Sequence, residues 1–245
     1  TARAEGLGAR LLSPDTIFVA LATDKVATCR RLEQAGVPVP PTFRCRDLQD
    51  VHDLPSGQLV SKPIDGAGSW QVRLTDRRIL TRELTEGGDG IAQDFCVQEY
   101  CEGRPASVAS LCGPDRTLVL PPCWQHVNPP YFAYGGGEVI CDEALVLRAR
   151  RLAERTLTAL PPARGFVGVD MVLGASPQGT EDRVLEVNPR LTTSYVGLRE
   201  VIAPNLGVAM WQIALGESAD LTLLPRRVQF DSSGQIWHLH PVPTQ

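Results

Sequence analysis

The sequence predicts an α+β fold. Helical and strand-like segments are mixed along its 245 residues without the regular βαβ alternation of a parallel sheet. One segment, "DEALVLRARRLAERTLTAL", repeats apolar residues at helical spacing with arginines on the opposite face. Several short apolar runs, among them "FCVQEYC", "GFVGVDMVLG" and "RVLEVNP", have strand length and are bounded by Gly, Pro and polar turns. A chain this long buries a substantial core as one large domain or two smaller ones.

In order, "TARAEGLGARLLSPDTIFVALATDK" reads as the tail of an α/β unit: a helix, a short apolar strand, Ser13-Pro14, then a helix from about Asp15. "KVATCRRLEQAG" is a helix that Gly36 would cap. "VPVPPTFRC" is extended, because a residue before proline avoids helical angles. "QLVSKPI" and "WQVRL" form two strands around a Gly-rich turn, and "FCVQEYC", "PASVASLCG" and "TLVLPPCWQHV" are further strands. The three glycines in "YFAYGGGEV" predict a mobile loop. The long helix, the strands "GFVGVDMVLG" and "RVLEVNP", and a helix in "GVAMWQIALG" complete the series.

Bulk properties exclude several classes. No apolar run approaches the ~20 residues that span a bilayer, and the start lacks a signal-peptide pattern. The net charge of −4 disfavours nucleic acid as a partner held through its backbone. Seven cysteines without a CxxC pair read as reduced thiols, so a cytoplasmic location is expected. The chain begins with Thr1, so a preceding segment is also expected.

The chemistry concentrates on two strands. If "GFVGVDMVLG" and "RVLEVNP" form a hairpin centred near Gln178, Asp170 faces Glu186, Val172 faces Val184 and Gly168 faces Asn188. Strand alternation then puts Asp170, Glu186 and Asn188 on one face and Val169, Met171, Leu185 and Val187 on a core face. Like charges directly opposite repel, so a cation between them is implied. Three hard oxygen ligands suit Mg²⁺ or Mn²⁺ better than zinc. Mg²⁺ takes few protein carboxylates and completes its shell with phosphate oxygens, which points to a nucleotide. The alternative is that both acids face solvent.

Of the 24 basic residues only Lys25 and Lys62 are lysine. An arginine-favouring genome explains the bias, yet such a bias leaves lysine where a compact ammonium is needed, as at a phosphate. Lys62 stands just before Gly66, Gly68 and Ser69, a hairpin that is no Walker loop but could offer backbone N–H groups and a hydroxyl to phosphates. His238 and His240 alternate on one strand and could begin a zinc site, but no third ligand accompanies them.

The ordered set "DK" at 24–25, "GVPVPPT", "VSKPIDGAGS", "VQEYCEG", "GVDMVL" and "LEVNPR" resembles the ATP-grasp carboxylate–amine ligases from about Ser13 to Gly216. The resemblance implies two α+β subdomains clasping ATP: residues 1–24 a remnant of an N-terminal α/β domain, 25–100 the small lid subdomain, and 101–245 the C-terminal subdomain with the metal site. It implies that Lys25 and Lys62 hold the α- and β-phosphates and that Gly66, Gly68 and Ser69 cover them. Gln98, Glu99, Tyr100 and Cys101 would form the hinge, with the backbone of Glu99 and Cys101 reading adenine. Asp170, Glu186 and Asn188 would bind magnesium, and Arg190 would steady the transferring phosphoryl group. After "CEG" the stretch "RPAS" lacks the second acid that binds ribose in relatives, with Glu102 a poor substitute.

"NPRLTTSYVGLR" is similar to a subgroup that includes tyramine–glutamate ligases, which implies Thr192, Thr193 and Ser194 beside an amino-acid substrate; the same residues could simply cap a helix. The implied activity joins an amino-acid-like carboxylate, glutamate being the candidate, to an amine through an acylphosphate. The partners are then small-molecule carboxylate and amine substrates, with no nucleic acid, no membrane and a homodimer as the candidate assembly. The rivals are a carboxylase or other acylphosphate-forming enzyme, and a nucleotide-binding regulator without catalysis. "GAGS" and "YGGGE" are the loops expected to exclude water.

Overall fold

The computed structural model describes residues 1–8, 11–65, 69–86 and 94–239. Gly66, Gly68 and His240 lie outside the described residues. The elements run α1 Ala2–Gly6, α2 Thr16–Thr23, α3 Lys25–Gln34, β1 Thr42–Cys45, α4 Leu48–His52, β2 Leu59–Pro63, β3 Arg73–Thr75, α5 Arg77–Glu86 and β4 Phe95–Glu99. They continue with β5 Arg104–Cys112, β6 Thr117–Gln125, β7 Gly136–Val139, α6 Glu143–Ala159, β8 Gly165–Leu173 and β9 Arg183–Asn188. The last are α7 Ser194–Val201, β10 Ile202–Ala203, α8 Leu206–Ala214, β11 Thr222–Leu223, β12 Arg227–Asp231 and β13 Ile236–Leu239.

Two antiparallel sheets organise the chain. The smaller has the order β1-β4-β2-β3, the larger β13-β12-β7-β6-β5-β8-β9. The small sheet buries Leu59, Phe95 and Val97 against Val51 of α4 and Leu80 of α5. One face of the large sheet packs Val167, Val169 and Met171 against α6, and against Phe18 of α2 and Leu32 of α3. Its other face packs Phe166, Leu111 and Phe230 against Leu198 of α7 and Ile213 of α8. The mixed architecture is the α+β arrangement that the sequence predicts. No helix among the described residues is long and apolar enough to cross a membrane.

Local chemistry accounts for the helix ends. Asp15, Asp24, Asp47, Asp142 and Asn205 each accept a backbone N–H in the first turn of the following helix. At the end of α3, Gly36 takes a φ of +72°. Val37 N–H then donates to the Leu32 carbonyl and Gly36 N–H to that of Glu33, a Schellman closure.

Four expectations need correction. Leu11 and Leu12 form no strand. α5 was not expected; its start is set by Asp76, which accepts from the Ile79 N–H at 2.8 Å. The hairpin of β8 and β9 has Asp170 opposite Glu186 and Gly168 opposite Asn188 as expected, but Val184 faces Met171 rather than Val172, and Arg183 faces Val172. A bulge at Leu185 takes up the extra residue, so Val184 joins the core and Leu185 turns to the opposite face.

The fourth concerns "YGGGE". Gly136 and Gly137 are buried strand residues of β7, not a mobile loop. A Cβ on Gly137 would stand 2.4 Å from the Trp124 carbonyl oxygen and 2.9 Å from the Phe230 ring. These glycines permit close approach of neighbouring strands. Gly137→Ala is expected to destabilise the fold by roughly 1–3 kcal/mol, the usual cost of overpacking, read as a lower denaturant midpoint at constant slope.

Candidate active site

Between the two sheets lies a cavity of about 1110 Å³. Pockets for small ligands commonly measure ~300–1,000 Å³, so this one has room for more than one substrate. Of the sixteen residues that the resemblance assigns to the site, the fourteen that lie among the described residues all line it.

The first turn of α3 contributes Lys25. Its Asp24 cap fixes the helix start, and the buried ammonium reaches the Ile64 carbonyl at 3.3 Å and Glu186 Oε1 at 3.6 Å. One cation therefore bridges a helix, the turn after β2 and strand β9. Lys62, near the end of β2, is also buried and lies beside Cys96 of β4. Burial pushes the Cys96 thiol up to about 12, despite the two lysines pulling it down. All seven cysteines are free thiols.

The hinge follows β4. Gln98 is buried and gives its amide N–H to Thr42 Oγ1 at 3.1 Å and Cys29 Sγ at 3.3 Å, so its side chain holds β4 to α3 and β1. Glu99 N–H donates to Pro41 O and Tyr100 N–H to Gln58 O. The half-buried Cys101 thiol lies 3.7 Å from the Glu99 carbonyl, and burial raises its pKa, which disfavours the reactive thiolate. Val172 and Leu185 line the cleft as apolar surface, Leu185 only because of the bulge.

On the β8–β9 wall, Asp170 sits between two amides. Gln125 Nε2 donates to its Oδ1 at 3.0 Å and Asn188 Nδ2 to its Oδ2 at 2.8 Å. Arg190 Nη2 in turn donates to Asn188 Oδ1 at 3.2 Å. Desolvation, then repulsion from Glu186, pushes the Asp170 carboxyl up to about 7, against the opposing pull of Asn188, Arg190 and Gln125. Two half-buried carboxylates facing one another on adjacent strands form a site that added positive charge would stabilise. With Asn188 the donors are all hard oxygens and fit Mg²⁺ or Mn²⁺. Among the described residues no group of three His, Cys, Asp or Glu residues gathers as a metal site. His238 instead lies 3.9 Å from Glu200.

Thr192, Thr193 and Ser194 reach the cleft where α7 begins. Thr193 occupies the cap position without a side-chain cap bond, and Thr192 Oγ1 lies 2.7 Å from Ser194 Oγ. Gly168 makes room for this cluster: a Cβ there would stand 2.6 Å from Thr192 Cγ2.

Sequence reasoning missed Gln125, Tyr134, Trp70 and Tyr131, all of which line the cavity. Gln125 carried a faint signal, because it follows the core residue Trp124 and so faces the other side of the sheet. Its distance to Asp170 depends on strand order β6-β5-β8, which no local pattern encodes.

A model of the ATP-grasp domain matches residues 22–194. Over 107 residues the chain is 29% identical to the tyramine–L-glutamate ligase of Methanocaldococcus fervens, covering 44% of this chain and 34% of that protein. Among solved structures, the L-amino acid ligase from Bacillus licheniformis superposes with a TM-score of 0.74 at 20% identity, over 93% of this chain and 57% of its own. Biotin carboxylase from Campylobacter jejuni, solved as a βγ-ATP complex, gives 0.77 at 16% identity, over 93% and 54%. The chain spans about a third of the curated relative's length and little more than half of these solved chains. At these identities the structural likeness is one of fold. With the family match extending over most of its length, the chain belongs to the ATP-grasp family.

Proposed function

We propose that this chain binds ATP in the cleft between its sheets and uses it to join an amino-acid-like carboxylate, glutamate being the candidate, to an amine. A carboxylate oxygen attacks the γ-phosphorus, the bond to the bridging oxygen breaks, and ADP leaves. The amine nitrogen then attacks the acyl carbon of the acylphosphate, phosphate departs, and loss of the amine proton leaves an amide. The first step brings anions together, so catalysis is mainly electrostatic positioning. Lys25 and Lys62 would meet the phosphates, and the Glu99–Cys101 backbone would read adenine, with Val172 and Leu185 offering apolar surface in the same cleft. Arg190 steadies the transferring group, and Thr192, Thr193 and Ser194 donate to the substrate carboxylate. Asp170, Glu186 and Asn188 would hold Mg²⁺ or Mn²⁺, which supplies charge neutralisation at the phosphates.

The observation that carries this reading is the hydrogen-bonded set Gln125–Asp170–Asn188–Arg190, on the same cavity wall as Glu186 and in one cavity with both lysines. The names of the tyramine–L-glutamate ligase and the L-amino acid ligase support the same class of reaction. The test is a coupled ADP-release screen of amino acids crossed with amines. Release that needs both partners supports a ligase, release with bicarbonate as the sole acceptor selects a carboxylase, and nucleotide binding without turnover selects a regulator.

Gln125 acts through Asp170 as a positioning residue. Gln125→Ala is expected to weaken Mn²⁺ binding about 10–100-fold, the usual effect of losing an outer-shell partner. Electron paramagnetic resonance titration reads that affinity, and the thermal midpoint should move little. Unchanged Mn²⁺ affinity would separate Gln125 from the metal ligands.

A further inference from the structure

The segment from Gln125 to Tyr134, which joins β6 to β7, lines one side of the cavity without a single charged residue. Cations reach the cavity from other elements: Lys25 from α3, Lys62 from β2 and Arg190 from just beyond β9. Arg73 and Arg104 also border it, but the first is paired with Glu83 and the second lies 4.0 Å over the Trp124 ring. Any donor offered to a ligand from the β6–β7 side is therefore neutral.

Tyr134 is the half-buried donor on that side, whereas Asn128 and Tyr131 are exposed. Its backbone is held close by: Gly135 N–H donates to His126 O at 2.8 Å, and His126 N–H to Gly136 O at 2.9 Å. The same turn carries Gln125, which donates to Asp170. Burial raises the pKa of the Tyr134 phenol, and the nearby Cys123 and Asp170 add to the shift, so the group keeps its proton.

That proton has no taker among the described residues. Asp170 Oδ1 already accepts from Gln125 and its Oδ2 from Asn188, and no other described group bonds the Tyr134 hydroxyl. Nor is the oxygen sealed off. The fully enclosed side-chain atoms without a partner are Ser110 Oγ and Arg150 Nε among the described residues, so the phenol oxygen keeps access to the cleft. A tyrosine hydroxyl in a largely buried position usually finds a partner. Here the place left for one is inside the cavity, beside Asp170.

We propose that the Tyr134 hydroxyl donates a hydrogen bond to the transferring phosphoryl group, from the side of the cleft opposite Arg190. This rests on the use of ATP proposed above. No bond to Tyr134 forms or breaks; the hydroxyl keeps its proton and meets charge that spreads over the phosphoryl oxygens in the transition state. Neutrality suits the position. A cation there would compete with the metal for the Asp170 carboxylate, whereas a phenol adds a donor without displacing it.

The test uses Tyr134→Phe, which keeps the ring and removes only the hydroxyl. With ATP, glutamate and hydroxylamine, kcat for ADP release should fall about 10²-fold, the scale of losing one oxyanion donor. KM for ATP and Mn²⁺ affinity should stay within about threefold. Weakened Mn²⁺ binding would make Tyr134 a positioning residue acting through Asp170, and unchanged kcat would remove it from the reaction; either result overturns the proposal. A second measurement needs no turnover. Calorimetry compares binding of Mg²⁺–ADP alone with binding in the presence of aluminium fluoride, a mimic of the phosphoryl group in transfer. The parent protein should bind ADP more tightly with fluoroaluminate, and Tyr134→Phe should lose about tenfold of that gain with affinity for ADP alone unchanged. This loss supports the contact even if no amine is ever joined to glutamate and the ligase reading fails. No gain in the parent, an equal gain in both proteins, or a loss of affinity for ADP alone overturns it.

Discussion

Replacing Glu186 by glutamine is expected to lower ADP release by at least ~10²–10³-fold, the scale on which removal of one electrostatic partner acts. The amide keeps the shape of the side chain, so packing on β9 should survive. What disappears is the charge opposite Asp170 and the ion pair with Lys25 at 3.6 Å. Far-ultraviolet circular dichroism and the thermal midpoint should match the parent, while Mn²⁺ binding weakens. A second readout follows from electrostatics. Glu186 helps to hold the Asp170 carboxyl near 7, so its neutralisation should let Asp170 titrate at lower pH in the metal-free protein. The sign is fixed, because removing a neighbouring negative charge favours the ionised carboxylate. An unchanged rate of ADP release would take Glu186 out of the site.

Arg190→Ala should lower kcat by a similar ~10²–10³-fold while leaving nucleotide affinity within a few-fold. The side chain is exposed and contacts Asn188 Oδ1 and the Leu191 carbonyl, so little stability depends on it. Loss confined to kcat is the pattern of an interaction made mainly in the transition state. Arg190→Lys should recover only part of the rate, since an ammonium lacks the planar fork that can hold Asn188 and an oxyanion together. A variant with weakened ATP binding and unchanged kcat would assign Arg190 to ground-state binding instead. Calorimetric titration of ATP beside steady-state kinetics distinguishes these outcomes.

Legibility varied with the range of the interaction. Asp142 before α6 and Gly36 after α3 mark their helix ends because caps act over a few residues. The facing of Asp170 and Glu186 was readable from strand period and hairpin symmetry. Leu185 was not, because a bulge depends on how β9 meets the helices behind it, and one extra residue exchanges its face with that of Val184. The glycines at 136 and 137 misled for a related reason. Glycine signals flexibility when only neighbours along the chain are considered, but here it admits the Trp124 carbonyl and the Phe230 ring.

By itself the sequence determined the α+β class, the helix caps, and the acids and lysines that come to line one cleft. Those properties follow from local periodicity and from chemistry that only a few residue types can supply. Tertiary structure alone decided which neutral residues join them. Gln125 reaches Asp170 across β5, and the segment that follows Trp70 meets the Tyr131 loop through a bond between Leu74 and Pro130. Such neighbours are fixed by strand order and loop contacts between distant residues, and no short window of sequence contains that information.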